Sequence, residues 1–203
     1  MDKYEALLFE IAPWMQETAR VIKTVNNSSL LRGRSGWVAR DIKNPESIYE
    51  HTVKVALAGW YLFGTGQAVS QGFCHDMPEW ASPDYTPGQK SLTEKYTEEL
   101  GSMERLSAII PRGPFWLQNW LEFETKEGIA FQMNELDKIC PVINCIDLLK
   151  TYKTNNLEEF YPYARGKIQT PELVRVIDEM WHEDIPAGKA YNIYFDKLRK
   201  IKL

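Results

Sequence analysis

The chain is poor in cysteine: Cys74, Cys140 and Cys145 are its whole complement in 203 residues. The number is odd and no CxxC pair occurs, so neither a disulfide framework nor a zinc ribbon is expected. Three reduced, partly buried thiols are the plain reading. No apolar run approaches the roughly eighteen residues of a membrane span. The opening MDKYEALLFE carries acids where a secretory leader would carry a basic stretch and then an apolar one. A large charge of one sign is missing too: 24 Lys and Arg against 28 Asp and Glu leave a formal charge of −4. That argues against a nonspecific binder of nucleic-acid polymers, while a few local cations can still hold a small anion. There is no strand-like alternation, internal repeat or low-complexity tract. A cytoplasmic, all-α protein with one domain over residues 1–203 is the expectation.

What is present is helical spacing. Leu7, Leu8, Ile11, Met15 and Ile22 mark a helix from Tyr4 to Val25, interrupted at Pro13. Residues 32–44 read as a loop that concentrates Arg32, Arg34, Arg40 and Lys43. A helix is expected from Asn44 as cap, with Pro45 first and Glu46 at the positive end of the dipole, until Gly64 and Gly66 stop it. The next begins near Gln67, includes His75-Asp76, and must kink or end at Pro78, leaving that pair at an opening. Trp80 to Gly88 reads as a loop over it. Lys90–Ile110, Phe115–Glu124 and Glu127–Tyr152 follow as helices, and the stretch 154–170 reads as irregular. Pro171–His182 and Lys189–Leu203 close the chain as helices.

The chemistry gathers in His51, His75-Asp76, Glu79, Asp84 and Asp137. A His-Asp dipeptide alone says little. The chain has three His, however, and two of them fall on consecutive expected helices with apolar faces beside them. Burying such groups is costly unless something pairs with them, and a metal does so. Two imidazoles and two carboxylates suit a hard-to-borderline divalent ion and leave positions for water and a phosphate oxygen. Asp76 and Glu79 stand three apart and share a helical face, so one can hold the metal while the other holds or deprotonates an attacking water. Arg34 offers a planar fork for phosphate.

The segments GRSGW, PESIYEHTVKVA, FCHDMPEW with PDYTP, and LEFETKEGIAFQMNELDKI resemble the HD-domain phosphohydrolases of the 5'-deoxynucleotidase type, over about residues 30–150. The resemblance implies an all-helical HD bundle with a divalent metal, such as cobalt, manganese or copper, on His51, His75, Asp76 and Asp137. It implies catalytic roles for Glu79 and Asp84, a phosphate role for Arg34, an orienting role for Trp37, and sugar contacts from Asp84 and Thr86. Where the family has Gly before that Asp, this chain has Pro83, which stiffens the loop. A homodimer is implied as well. The expected reaction is release of the 5'-phosphate from a deoxyribonucleoside monophosphate. The alternatives are triphosphate release from a deoxynucleoside triphosphate, kept open by Arg32, Arg40 and Lys43, and a non-catalytic nucleotide sensor.

Other features read as structural. His182 is expected to be exposed, Trp116, Trp120 and Phe123 to be core or dimer contact, and Glu94, Glu98, Glu99 and Glu104 to form a solvated face.

Overall fold

The structure is a computed structural model that describes residues 33–43, 45–85, 88–152 and 157–203. The expected helix over residues 4–25, Arg32, the proposed cap Asn44 and Thr86 lie outside the described residues. Within them the fold is all-α, and an isolated bridge between Gly33 and Ser47 is the extended pairing found there. A short α1 (Ser35–Val38) precedes α2 (Ile48–Phe63) and α3 (Gly66–Cys74), followed by a 3₁₀ turn at Met77–Trp80. Then come α4 (Leu92–Ser107), α5 (Gly113–Thr125), the long α6 (Ile129–Tyr152), α7 (Phe160–Arg165), α8 (Pro171–His182) and α9 (Ala190–Leu198).

Helix ends differ from expectation where side-chain chemistry outweighs the breaker residues. The helix expected from Asn44 starts at Ile48, because Ser47 and Glu50 form a capping box: Glu50 N donates to Ser47 Oγ at 3.1 Å and Ser47 N to Glu50 Oε2 at 2.7 Å. Gly64, at φ 65°, ends α2 as a left-handed cap, but Gly66 opens α3 behind the Thr65 cap instead of extending the break. The 154–170 stretch is not wholly irregular, since it contains α7. The last helix is shorter than expected at both ends.

α6 forms the centre. Met133, Leu136, Ile139, Cys140, Val142 and Ile143 on it are fully buried, against α2 on one side and α8 and α9 on the other. A second apolar cluster joins Ile48 of α2, Cys74 and Met77 to Met103 and Leu106 of α4 and Trp116 and Trp120 of α5. The expected core role of the aromatic set on α5 holds, with Trp120 fully buried and stacked on Tyr96 at 5.6 Å. All three cysteines are free and buried, and burial pushes each thiol up, away from thiolate reactivity. No described helix is long and apolar enough to cross a membrane.

Gly72 lets the two histidine-bearing segments meet. A Cβ there would stand 2.5 Å from Ala56 Cα and 2.6 Å from Ala56 N, so α3 lies with its backbone against α2. Gly72→Ala is therefore expected to destabilise the protein by about 1–3 kcal/mol, the range for overpacking a close contact. It should also weaken divalent-metal binding, because His75 hangs from the same turn. Denaturant melts and metal titration of the variant check both, and wild-type values in each would show that the helices part freely.

Candidate metal centre

The His-Asp pair sits at a helix end, not inside a helix. α3 stops at Cys74 with His75 as its C-cap, and Asp76 caps the 3₁₀ turn, in which Pro78 occupies one of the first two positions. A proline suits that place because its missing N–H would have no helical partner there. The turn is held from above by Ser102 of α4, whose hydroxyl donates to the Pro78 carbonyl. Asp137 comes from the middle of α6, one turn before Pro141, a residue without the N–H that would bond back to the Asp137 carbonyl.

Four side chains from these elements converge. One ligand atom from each of His51, His75, Asp76 and Asp137 lies within 4.8 Å of the other three. His51 Nε2 is 2.9 Å from Asp137 Oδ1, and His75 Nε2 is 3.3 Å from Asp76 Oδ2 and 3.5 Å from Asp137 Oδ1. Adjacent ligands of an ion bound at roughly 2.0–2.2 Å stand on the order of 3 Å apart, so the spacing fits one divalent cation. Unmet bonding capacity points the same way: buried His75 Nε2 and Asp76 Oδ2 have no hydrogen-bond partner. His75 is already aimed, since its Nδ1 meets the Gly72 carbonyl at 2.7 Å and leaves Nε2 for an ion.

The field at the centre is strong. Burial works to raise both carboxyl groups. For Asp76, neighbouring His75, Arg34 and His51 overcome it and hold the group ionised; for Asp137, Lys138, His51 and His75 do the same. Arg34 stands 3.8 Å from Asp76, and its guanidinium, though partly buried, is kept firmly charged by Asp76, Asp137, Asp84 and Glu79. Glu79 is 2% exposed, with a buried Oε2 that has no hydrogen-bond partner. Burial, then Asp76 and Asp84, push its carboxyl well above the usual carboxylate range.

Two expected site residues have structural work. Asp84 Oδ2 accepts from Ser35 N at 2.6 Å and Ser35 Oγ at 3.0 Å, while Ser35 Oγ also reaches the Asp84 carbonyl at 2.6 Å. The Asp84 loop is thereby fastened to the start of α1, beside Arg34. Trp37 is 2% exposed and stacks on Phe160 at 4.6 Å, so its ring packs the turn that carries Arg34.

Several contributors were not singled out by the sequence reading. Lys138 pairs with Asp137, and Glu46, expected at the helix dipole, is buried behind His51 with Lys54 on it at 2.6 Å. Glu99 is not part of a solvated face: it is 8% exposed, pairs with Lys95 at 3.2 Å, and burial raises its carboxyl to about 7. The i,i+4 spacing of Lys95 and Glu99 was visible in the sequence, but not which way it pointed. His182 is exposed, as expected.

Comparison with known families decides the identity: the HD domain model matches residues 31–180. The chain belongs to the HD domain family. Similar curated proteins carry the name 5'-deoxynucleotidase HDDC2. The Homo sapiens protein is 25% identical over 158 residues, which is 72% of this chain and 76% of the relative. The Bos taurus protein is 27% identical over 161 residues, with the same shares covered (72% and 76%). The Danio rerio protein is 25% identical over 181 residues, 83% of this chain and 90% of the relative.

The HD centre carries a testable proton. Burial would lower the His75 pKa, but Asp76 and Asp137 prevail and raise it to about 10 in the metal-free protein. At pH 7 the ring is then protonated, whereas a metal ligand must be neutral. Metal binding at pH 7 is expected to expel about one proton, and affinity to rise by up to about tenfold per pH unit until pH nears 10. Calorimetric titration in buffers of different ionisation enthalpy reads this directly. An apparent enthalpy independent of buffer would refute it.

Proposed function

We propose that this HD domain protein is a metal-dependent phosphohydrolase that removes the 5'-phosphate from deoxyribonucleoside monophosphates. The convergence of His51, His75, Asp76 and Asp137 within 4.8 Å, with Arg34 alongside, carries the reading. A divalent ion on those four residues, cobalt or manganese being the favoured candidates, supplies Lewis acidity and an acidified water when bound.

The chain's own residues divide the remaining tasks. Arg34 binds phosphate oxygens through its fork, with its charge assured by the surrounding carboxylates. Glu79 orients the attacking water and takes its proton. Burial and the neighbouring Asp76 and Asp84 raise its proton affinity, and added positive charge in the site would return it to the carboxylate form that can take that proton. The water oxygen forms a bond to phosphorus, the bond from phosphorus to the 5'-oxygen breaks, and the proton that Glu79 took from the water passes to that oxygen, so that inorganic phosphate and the deoxynucleoside leave. Asp84 serves chiefly by holding its loop against Ser35, and Thr86, two residues on, is assigned to the sugar. Trp37 supports Arg34 from behind.

The triphosphate reading leaned on extra cations beside Arg34, and Arg40 is not free for that task. It pairs with Glu159, donates to the Gly36 carbonyl and lies over the Phe160 ring at 4.7 Å. The monophosphate reading is favoured on this ground. A panel of deoxy- and ribonucleotides, as mono- and triphosphates, assayed with several divalent metals tests it. Inorganic phosphate from deoxynucleoside monophosphates is the expected product, and triphosphate release would replace the reading with its alternative.

A further inference from the structure

His75 has a visible partner behind it, the Gly72 carbonyl at 2.7 Å, but the other imidazole of the centre has none that closes a hydrogen bond. His51 Nε2 faces Asp137 and Asp76, so Nδ1 points outward from the cluster. There it meets Glu46 Oε2 at 3.8 Å, and the two side chains are 0% and 2% exposed. Both atoms are buried without a hydrogen-bond partner. A buried nitrogen and a buried carboxylate oxygen left facing each other are expensive unless they bond in the working state.

Glu46 has no competing duty at the helix end. The capping box of α2 is completed by Ser47 and Glu50. Its other oxygen, Oε1, is taken by Lys54 Nζ at 2.6 Å, and Lys54 is steadied over the Tyr191 ring at 4.6 Å. That ion pair fixes the carboxylate and leaves Oε2 toward His51. The Glu46 backbone is also tied to the phosphate side of the site, since its carbonyl accepts Arg34 N–H at 2.9 Å. One residue thus touches the structural supports of both Arg34 and His51.

Resting on the proposed metal-dependent reading, we infer that Glu46 is a positioning residue for the metal centre: its carboxylate accepts the Nδ1–H of His51 and commits Nε2 to the ion. A carboxylate behind a ligating histidine fixes the tautomer and ring orientation and raises the basicity of the ligand nitrogen. Lys54 keeps that carboxylate in place and offsets its charge.

The test uses the full chain stripped of metal, with cobalt(II) alone as probe, its affinity read by competition with a chromophoric chelator. Glu46→Leu is expected to weaken cobalt binding about 10–100-fold, the usual effect of losing an outer carboxylate. Glu46→Gln keeps an oxygen that can accept Nδ1–H and is expected to fall between Leu and wild type. In the zinc-loaded proteins, ¹⁵N correlation spectra are expected to show protonated His51 Nδ1 in wild type and Glu46→Gln. A merely structural Glu46 would move neither the tautomer nor the order of affinities. Cobalt affinity in Glu46→Leu equal to wild type overturns the inference. If Glu46→Leu does not fold, Glu46→Gln decides, and equal affinity there with His51 Nδ1 unprotonated in wild type overturns it. Wild-type protein that binds no cobalt would instead sink the metal-dependent reading beneath it, so the two failures are distinguishable.

Discussion

Glu79→Gln is expected to keep its metal, bind substrate nearly as well as wild type, and lose about 10²–10⁴ in turnover, the usual weight of general acid–base help. The substitution is nearly isosteric, so packing of the 3₁₀ turn under α4 is preserved, while the group that takes a proton is gone. Glu79 sits three residues beyond Asp76 in that turn, buried, with an oxygen that bonds to nothing in the structure. A carboxylate serving only to steady the Arg34 loop would give another result: near-normal turnover with a change in stability or substrate affinity. Single-turnover rates at measured metal occupancy separate the two, and full-speed hydrolysis by Glu79→Gln would end the catalytic assignment.

Asp76→Ala should be more severe for the metal. Loss of an outer carboxylate costs roughly 10–100-fold in metal affinity; loss of a direct ligand should exceed that and take turnover to background. Helix content should hardly change, because the core around α6 is apolar and does not include Asp76. Arg34 and His75 would lose the carboxylate that balances them, so a modest loss of stability is also expected in the metal-free protein. Circular dichroism beside a metal titration checks the pair of outcomes. Wild-type metal affinity in this variant would mean that the four side chains do not act as one ligand set.

The helices were legible in the sequence because their apolar positions recur at three, four and seven, and α6 could be read as core from Leu136, Ile139, Val142 and Ile146 alone. Their ends were less legible, since the Ser47–Glu50 box outweighed Asn44-Pro45 and Thr65 turned an expected stop at Gly66 into a start. The convergence of His51, His75, Asp76 and Asp137 was anticipated from residue types together with the resemblance to the HD-domain phosphohydrolases, which picked these four out of a wider acidic group. What the pattern could not give was direction. Glu46 and Glu99 look like helix-surface acids in one dimension and are buried in three, each paired with a lysine. Arg40 looked like a phosphate cation and is held by Glu159, more than a hundred residues away in sequence. Such long-range pairings leave no local periodicity to read.

The measurement that bears most directly on the central claim is phosphate release from a deoxyribonucleoside monophosphate by metal-stripped protein reloaded with cobalt or manganese, with Asp76→Ala treated identically. The account predicts no hydrolysis before reloading, inorganic phosphate and free deoxynucleoside after it, and nothing from the variant in either state. Hydrolysis that persists in the stripped protein, or survives in Asp76→Ala, would contradict it.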